Sequence, residues 1–288
     1  MKAIQIHEAG GPEVLQLADL PIPEPGPGQV LIRVEAIGVN FIEIYFRKGV
    51  YKASLPFVPG SEAAGTVEEL GPGVKGFAAG DAVASTSVLG SYAEYALVPA
   101  AQLVKVPAAL SMEQAAAAML QGMTAHYLSH STFPLKAGNT VLIHAGAGAS
   151  DVILYTEQDF ETEVKRLTGG KGVDVVYDGV GKTTFDGSLN CLRPRGLLAL
   201  FGASSGPVPR FDPIQLSTKG SLFITRPTLW HYIATRAELE WRAGDVLGWA
   251  AKGMLKLRTE CLYPLAEAAQ AQIDMEARKT TGKILLEP

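Results

Sequence analysis

In VLIRVEA at 30–36, Val30, Ile32, Val34 and Ala36 share one face while Arg33 and Glu35 fall on the other. That is the period of two of a half-buried strand, and its end delivers Asn40 into a loop or helix start. Around it, residues 1 to about 108 carry short β-like runs broken by turn-rich stretches: LPIPEPGPGQ at 20–29, VPG at 58–60 and ELGPGVKGFAAGD at 69–81, with SYAEYALVP following at 91–99. Such spacing predicts an all-β unit. The style changes at Ser111, where Ser-Met-Glu-Gln forms an S-x-x-Q capping box ahead of an Ala-rich stretch with strong helical propensity. Beyond this hinge come VLIH at 141–144, VDVVYD at 173–178, GLLALFG at 196–202 and SLFITRP at 221–227. These runs are nearly continuous in apolar residues, as strands covered on both faces tend to be. DFETEVKRLTGG supplies a helix between the first two, with Asp159 as N-cap, Glu161 and Glu163 as first-turn acids and Gly169 as a stop. A helix over 265–279 and a strand over 283–288 close the chain, and that last strand could return to either domain.

Composition narrows the function classes. The 288 residues hold 25 Lys+Arg against 29 Asp+Glu, so a net charge of −4 gives no chain-wide attraction to nucleic acid or acidic membranes. A small, specific partner is expected. Hydrophobic residues at 47% suit packed cores, and no internal repeat or low-complexity tract occurs. Cys191 and Cys261 stand 70 residues apart, which excludes a CxxC pair or a cysteine-rich zinc loop and gives a disulfide little support. The start lacks a signal-peptide layout, and no run approaches the roughly 18 apolar residues of a membrane span. The expectation is a soluble cytoplasmic protein. His126 and His130 share a helix face at i,i+4, a spacing that reads as packing or surface histidines before metal ligands.

After VLIH comes AGAGAS, a small-residue turn of the kind that lets backbone amides approach a pyrophosphate. It is a plain turn or a phosphate site on composition alone. Only about seven residues then separate VLIH from the next strand-like run, VILY at 152–155, whereas parallel strands need a crossover of about a dozen or more. Either the two runs form an antiparallel hairpin, or roughly 30 or more residues, the size of a βαβ unit, are missing between them. The second explanation is favoured.

Eight motifs carry a family resemblance: GGPEVL at 10–15, AIGVNFIEIYFRKGVY at 36–51, PGSEAAGTV at 59–67, QGMTAHYL at 121–128, GVDVVYDGVG at 172–181, LRPRGLLALFGASSGPV at 192–208, KGSLFITRPTL at 219–229 and ARKTTGKILL at 277–286. In this order they resemble the zinc-independent quinone oxidoreductases, the zeta-crystallin-like group of the medium-chain dehydrogenase/reductase superfamily. The resemblance implies an α/β protein with a GroES-like β-barrel domain over 1–122 and 261–288. Residues 123–260 would form a Rossmann-like doubly wound parallel-sheet domain, here incomplete. It further implies NADPH-dependent reduction of quinones or related conjugated carbonyls by hydride transfer in an interdomain cleft, without zinc, usually by a homodimer. Family members continue from the glycine turn into a helix, a second strand, the loop that chooses NADP over NAD, and another helix. Here HAGAG joins directly to ASDVILY.

The resemblance assigns roles residue by residue. Asn40, Glu43, Tyr45 and Tyr51 match polar positions of the family's substrate cleft, where a phenol or amide would hydrogen-bond the quinone oxygen; Glu43 is commonly Asp in relatives. On the cofactor side it implicates Asn40, Thr124 near the nicotinamide, Gly146 and Gly148 in the pyrophosphate turn, and Phe201 and Gly202 at a strand end. Tyr155 and Arg278 fall around the adenosine 2′-phosphate. Gln121 stands where several relatives carry Lys. At the positions resembling Asn40 and Ser61 the zinc alcohol dehydrogenases hold Cys and His, and no metal site is expected here. The alternative is a non-catalytic, crystallin-like binding or structural protein with a defective cofactor site. Some zeta-crystallin relatives bind RNA, but the acidic balance and lack of a basic tract argue against nucleic acid here.

Overall fold

The computed structural model describes residues 1–144, 149–155, 157–259 and 261–288. Its contacts divide the chain into one unit of residues 1–124 with 233–288 and a second of residues 125–232.

Along the chain, the first unit opens with β1 (Lys2–Gln5) and β2 (Gln16–Asp19), an antiparallel pair. Then follow β3 (Gln29–Gly38), α1 (Phe41–Arg47), β4 (Glu62–Leu70), β5 (Ala82–Ser85), β6 (Tyr95–Pro99) and β7 (Val104–Lys105). The alternation predicted for β3 holds through Val30, Ile32, Val34 and Ala36, with Arg33 exposed. Leu31 and Ile37 are buried as well, because β3 lies inside the sheet and pairs antiparallel with both β4 and β6. At Gly65 of β4 a Cβ would lie 2.1 Å from the Arg33 carbonyl oxygen, so the two strands approach too closely for any side chain there. α2 (Met112–Tyr127) starts on the predicted capping box: Gln114 N–H donates to Ser111 Oγ at 3.2 Å, and Ser111 N–H donates to Gln114 Oε1 at 3.1 Å.

In the second unit, β8 (Val141–Ile143), α3 (Phe160–Leu167), β9 (Val173–Asp178), α4 (Phe185–Asn190), β10 (Leu192–Leu200), α5 (Ile214–Thr218), β11 (Phe223–Thr225) and α6 (Leu229–Tyr232) alternate strand with helix. Asp159 caps α3, accepting the Glu161 N–H at 3.2 Å. The four strands are parallel in the order β11-β10-β9-β8, around a core of Val164, Val176, Phe185, Leu189, Leu198 and Leu200. β9 is buried along nearly its whole length, as a central strand should be. β8 is not: it closes one end of the sheet, and Ile143 is 49% exposed. The run at 152–155 forms neither a hairpin with β8 nor any other strand. Val152, Leu154 and Tyr155 are exposed there, and Leu154 O instead accepts turn bonds from Glu157 and Gln158. A strand needs a neighbouring strand for its ladder, and none of the described strands lies beside this run.

The chain then returns to the first unit through α7 (Arg236–Ala251), β12 (Cys261–Pro264), α8 (Ala268–Glu276) and β13 (Ile284–Glu287). β13 pairs antiparallel with the end of β3 and parallel with β12, giving the sheet order β12-β13-β3-β4-β5-β7 with β6 alongside β3. Ile4, Ile32, Val67, Val98, Leu103 and Leu286 help fill this unit's core. Cys191 and Cys261 are free thiols in different units.

Candidate functional site

Three strand ends converge on Asn40 within the first unit. β3 ends at Gly38, which pairs in register with Glu62 at the start of β4 and with Leu285 of β13. A Cβ at Gly38 would sit 2.0 Å from Glu62 Oε2, so the glycine leaves room for that carboxylate. Lys283 Nζ donates to Glu62 Oε2 and to Asn40 Oδ1, both at 2.6 Å. Asn40 Nδ2 donates to Glu62 Oε2 at 2.8 Å and to Gly38 O at 3.3 Å. The Asn40 carboxamide is therefore committed at both ends to the chain itself, and the ammonium and carboxylate it joins are buried.

Glu43, the third residue of α1, reaches back to accept the Asn40 N–H at 2.7 Å. Its other oxygen, Oε1, is buried without a hydrogen-bond partner. Burial raises the Glu43 carboxyl, and the Glu62 charge adds to that rise; Lys283 and backbone N–H donors oppose it, and the group is pushed up to about 8. At neutral pH it is an acid that holds its proton.

Tyr45 and Tyr51 lie just beyond. The N–H groups of Val50 and Tyr51 donate to Tyr45 O at 2.9 and 3.2 Å, turning the chain back after α1. The two rings meet edge to face, 5.4 Å apart at 74°, and Tyr51 remains 39% exposed. Of the four residues matched to the substrate side, two are thus buried in the polar network and two form an aromatic pair at its side.

In the second unit, Asp178 ends β9 and organises the loop that follows. Its Oδ1 accepts Val180 N–H at 2.8 Å and Gly181 N–H at 3.0 Å; its Oδ2 accepts the Thr184 hydroxyl at 2.7 Å and the Ser188 hydroxyl at 2.9 Å. His144, directly after β8, has Nε2 2.8 Å from Ser188 Oγ. Because Ser188 gives its hydrogen to Asp178, His144 Nε2 is the donor in that contact. Burial holds the imidazole below its ordinary range, against the pull of Asp178, which keeps it neutral. The order His-Ser-Asp, with serine in the middle, cannot activate the hydroxyl as a nucleophile. It locks the ends of β8 and β9.

The remaining candidates are dispersed. Phe201 and Gly202 follow β10, and their N–H groups donate to Asp178 O at 2.9 and 3.3 Å. A Cβ at Gly202 would meet Gly179 O at 2.3 Å, so packing of two strand ends already demands glycine there. Thr124 is half-buried on α2. Gly146 and Gly148 lie outside the described residues. Tyr155 sits on the exposed turn of the second unit. Arg278 follows α8 in the first unit with φ of 55°, a left-handed conformation unusual for a side chain with Cβ. His126 and His130 stack, ring centroids 4.3 Å apart.

Sequence reading did not single out Glu62, Lys283, Asp178 or Ser188. A signal existed for the first two: each is a lone charge bordering an apolar strand, EAAGTV and KILL.

A parallel α/β unit joined to an antiparallel β unit, with a buried polar cluster at the first helix, defines the medium-chain dehydrogenase/reductase class. The family model for the alcohol dehydrogenase GroES-like domain matches residues 26–108, and that for zinc-binding dehydrogenase matches residues 147–286. A quinone oxidoreductase of Pseudomonas aeruginosa is 41% identical, with 100% of this chain and 99% of the relative covered. A 2-haloacrylate reductase of a Burkholderia species is 40% identical over 99% of this chain and 98% of the relative. A mycobacterial protein solved in complex with NADPH superposes with a TM-score of 0.97 at 46% identity, covering 100% of both chains. The chain belongs to the quinone oxidoreductase family of that superfamily. Its alignment with the Pseudomonas relative runs over 323 positions against the 288 residues here, so 35 positions have no counterpart in this chain.

Proposed function

We propose that this protein reduces quinones or related conjugated carbonyls with NADPH, by hydride transfer and without zinc. The observation that carries the zinc-free reading is the Lys283 ammonium, 2.6 Å from Asn40 Oδ1. A fixed cation against the one donor atom Asn40 could offer repels a metal ion, and the amide is a poor ligand to begin with. NADPH, when bound, supplies the hydride, and a proton must reach the substrate oxygen to complete a two-electron reduction.

The chain's own groups divide that work. Tyr51, exposed and braced against Tyr45, supplies a hydroxyl to the substrate oxygen, where negative charge grows during reduction. Asn40, Glu62 and Lys283 hold the start of α1 in place as positioning residues. Glu43, protonated at neutral pH, keeps the network from carrying a second negative charge against the single Lys283 ammonium. On the cofactor side, the loops after β9 and β10 meet the rule that ligands of parallel sheets sit at the carboxyl ends of strands, and Asp178 fixes both loops. Thr124, Phe201 and Gly202 are assigned to the nicotinamide half. The same reading includes a cytoplasmic homodimer; β11, at the far end of the sheet with Phe223 60% exposed, is an edge to which a second copy could add.

The test is NADPH oxidation with p-benzoquinone as acceptor, repeated with Tyr51→Phe. We expect turnover in the parent and a loss of about tenfold or more in kcat/KM in the variant. No turnover with quinone or enone acceptors would overturn the reading in favour of a non-catalytic protein.

A further inference from the structure

A complete dinucleotide-binding sheet has the strand order 3-2-1-4-5-6, and the carboxyl end of its second strand carries the group that reads the adenosine ribose: an acid for a free 2′-hydroxyl, or a nearby Arg for a 2′-phosphate. The sheet here runs β8-β9-β10-β11, all parallel, with β8 at its end. That order corresponds to strands 1-4-5-6 alone. The difference in length is compatible with that order, since 35 positions of the alignment with the Pseudomonas relative have no residue in this chain. That is about the size of a strand-helix crossover. Two apolar features mark the place: Ile143 of the end strand β8 is 49% exposed, and the run 152–155 has strand composition but, among the described residues, no neighbouring strand, with Val152 68% and Leu154 53% exposed. Among the described residues from 149 to 159, no strand flanks β8.

The loss is one-sided. The β9 and β10 ends, with Asp178 tying down Val180, Gly181, Phe201 and Gly202, are intact, and these belong to the half of such a sheet that receives the nicotinamide mononucleotide. Among the described residues, nothing forms the second strand beside which the adenosine would sit. Resting on the proposed NADPH-dependent activity, we propose that this chain recognises its cofactor through the nicotinamide mononucleotide half alone. The 2′-phosphoadenosine then adds little affinity, and reduced nicotinamide mononucleotide serves as a ligand on a par with NADPH and NADH.

Binding, rather than turnover, tests this. The full chain is titrated with NADPH, NADH and reduced nicotinamide mononucleotide, following nicotinamide fluorescence, and with 2′,5′-ADP by calorimetry. The expected result is three dissociation constants within about threefold of one another and no saturable binding of 2′,5′-ADP at millimolar concentration. NADPH binding about thirtyfold or more tighter than the mononucleotide, or saturable 2′,5′-ADP, would overturn the proposal while leaving the NADPH-dependent reading standing. Saturation by none of the three nicotinamides would overturn both. Arg278→Gly is the second arm, because glycine suits the left-handed backbone at that position and the variant should fold. A selective loss of NADPH affinity in it, with the mononucleotide unchanged, would show that the 2′-phosphate is still read and would overturn the inference.

Discussion

Glu43→Gln should convert a pH-dependent stability into a flatter one. The Glu43 carboxyl is lifted from its ordinary 4.5 to about 8, mainly by burial, so between those values the folded chain holds a proton that the unfolded chain has released. Its contribution is therefore full below about pH 4.5 and is lost as pH rises through 8. At about 1.36 kcal/mol per pH unit, the whole span is worth about 5 kcal/mol as an upper figure. The charged and titratable groups that act on it are Lys283 just before β13, Glu62 on β4, and Tyr92. Glutamine keeps an acceptor for the Asn40 N–H and cannot ionise. Near pH 5 the two proteins should differ by about 1 kcal/mol, and by pH 9 the variant should be the more stable by about 3 to 5 kcal/mol. Urea unfolding of both proteins at intervals from pH 5 to pH 9 gives that difference directly, and groups common to both cancel. A difference constant within about 0.5 kcal/mol across the range would refute the buried-acid reading. So would a parent that gains on the variant as pH rises, since Lys283 would then be holding an ionised Glu43.

Four further outcomes follow from the geometry. Lys283→Met leaves Glu62 buried without its cation and should cost about 3 to 5 kcal/mol in urea unfolding. Asp178→Asn cannot accept all four of its present hydrogen bonds and should cost about 2 to 4 kcal/mol, with proteolysis appearing first in the loop after β9. His144 is held neutral by burial, so its contribution is present above about pH 6.5 and is lost as pH falls; His144→Gln should flatten the acid side of the stability profile. Ile143→Lys on the open edge of β8 should change stability by about 0.5 kcal/mol or less and reduce light scattering at high concentration, whereas the same change in a covered strand would unfold the unit.

Which parts of this molecule could be read from its sequence follows from what sets each feature. Period-two alternation placed β3, and continuous apolar runs placed β8 to β11, because a side chain's burial within one sheet is a local property of the strand. The caps at Ser111 and Asp159 were legible for the same reason: the donor and acceptor are two or three residues apart. The ion pair of Glu62 with Lys283 was not, since 221 residues separate them and only the pairing of β13 with β3 brings them together. Composition scales place both residue types at the surface, and nothing local corrects that.

The run at 152–155 shows the reverse case. Its residues have strand composition, yet strand structure is a property of a pair, and no described strand lies beside it. In the same way β8 has the composition of an interior strand and the position of an edge strand. An apolar pattern reports the burial a segment could use and not the burial it receives, so composition alone misplaces both segments. The short spacing between VLIH and VILY points to the same place in the chain, and the strand order puts β8 at the end of the described sheet, on the side away from the loops that Asp178 ties down after β9 and β10.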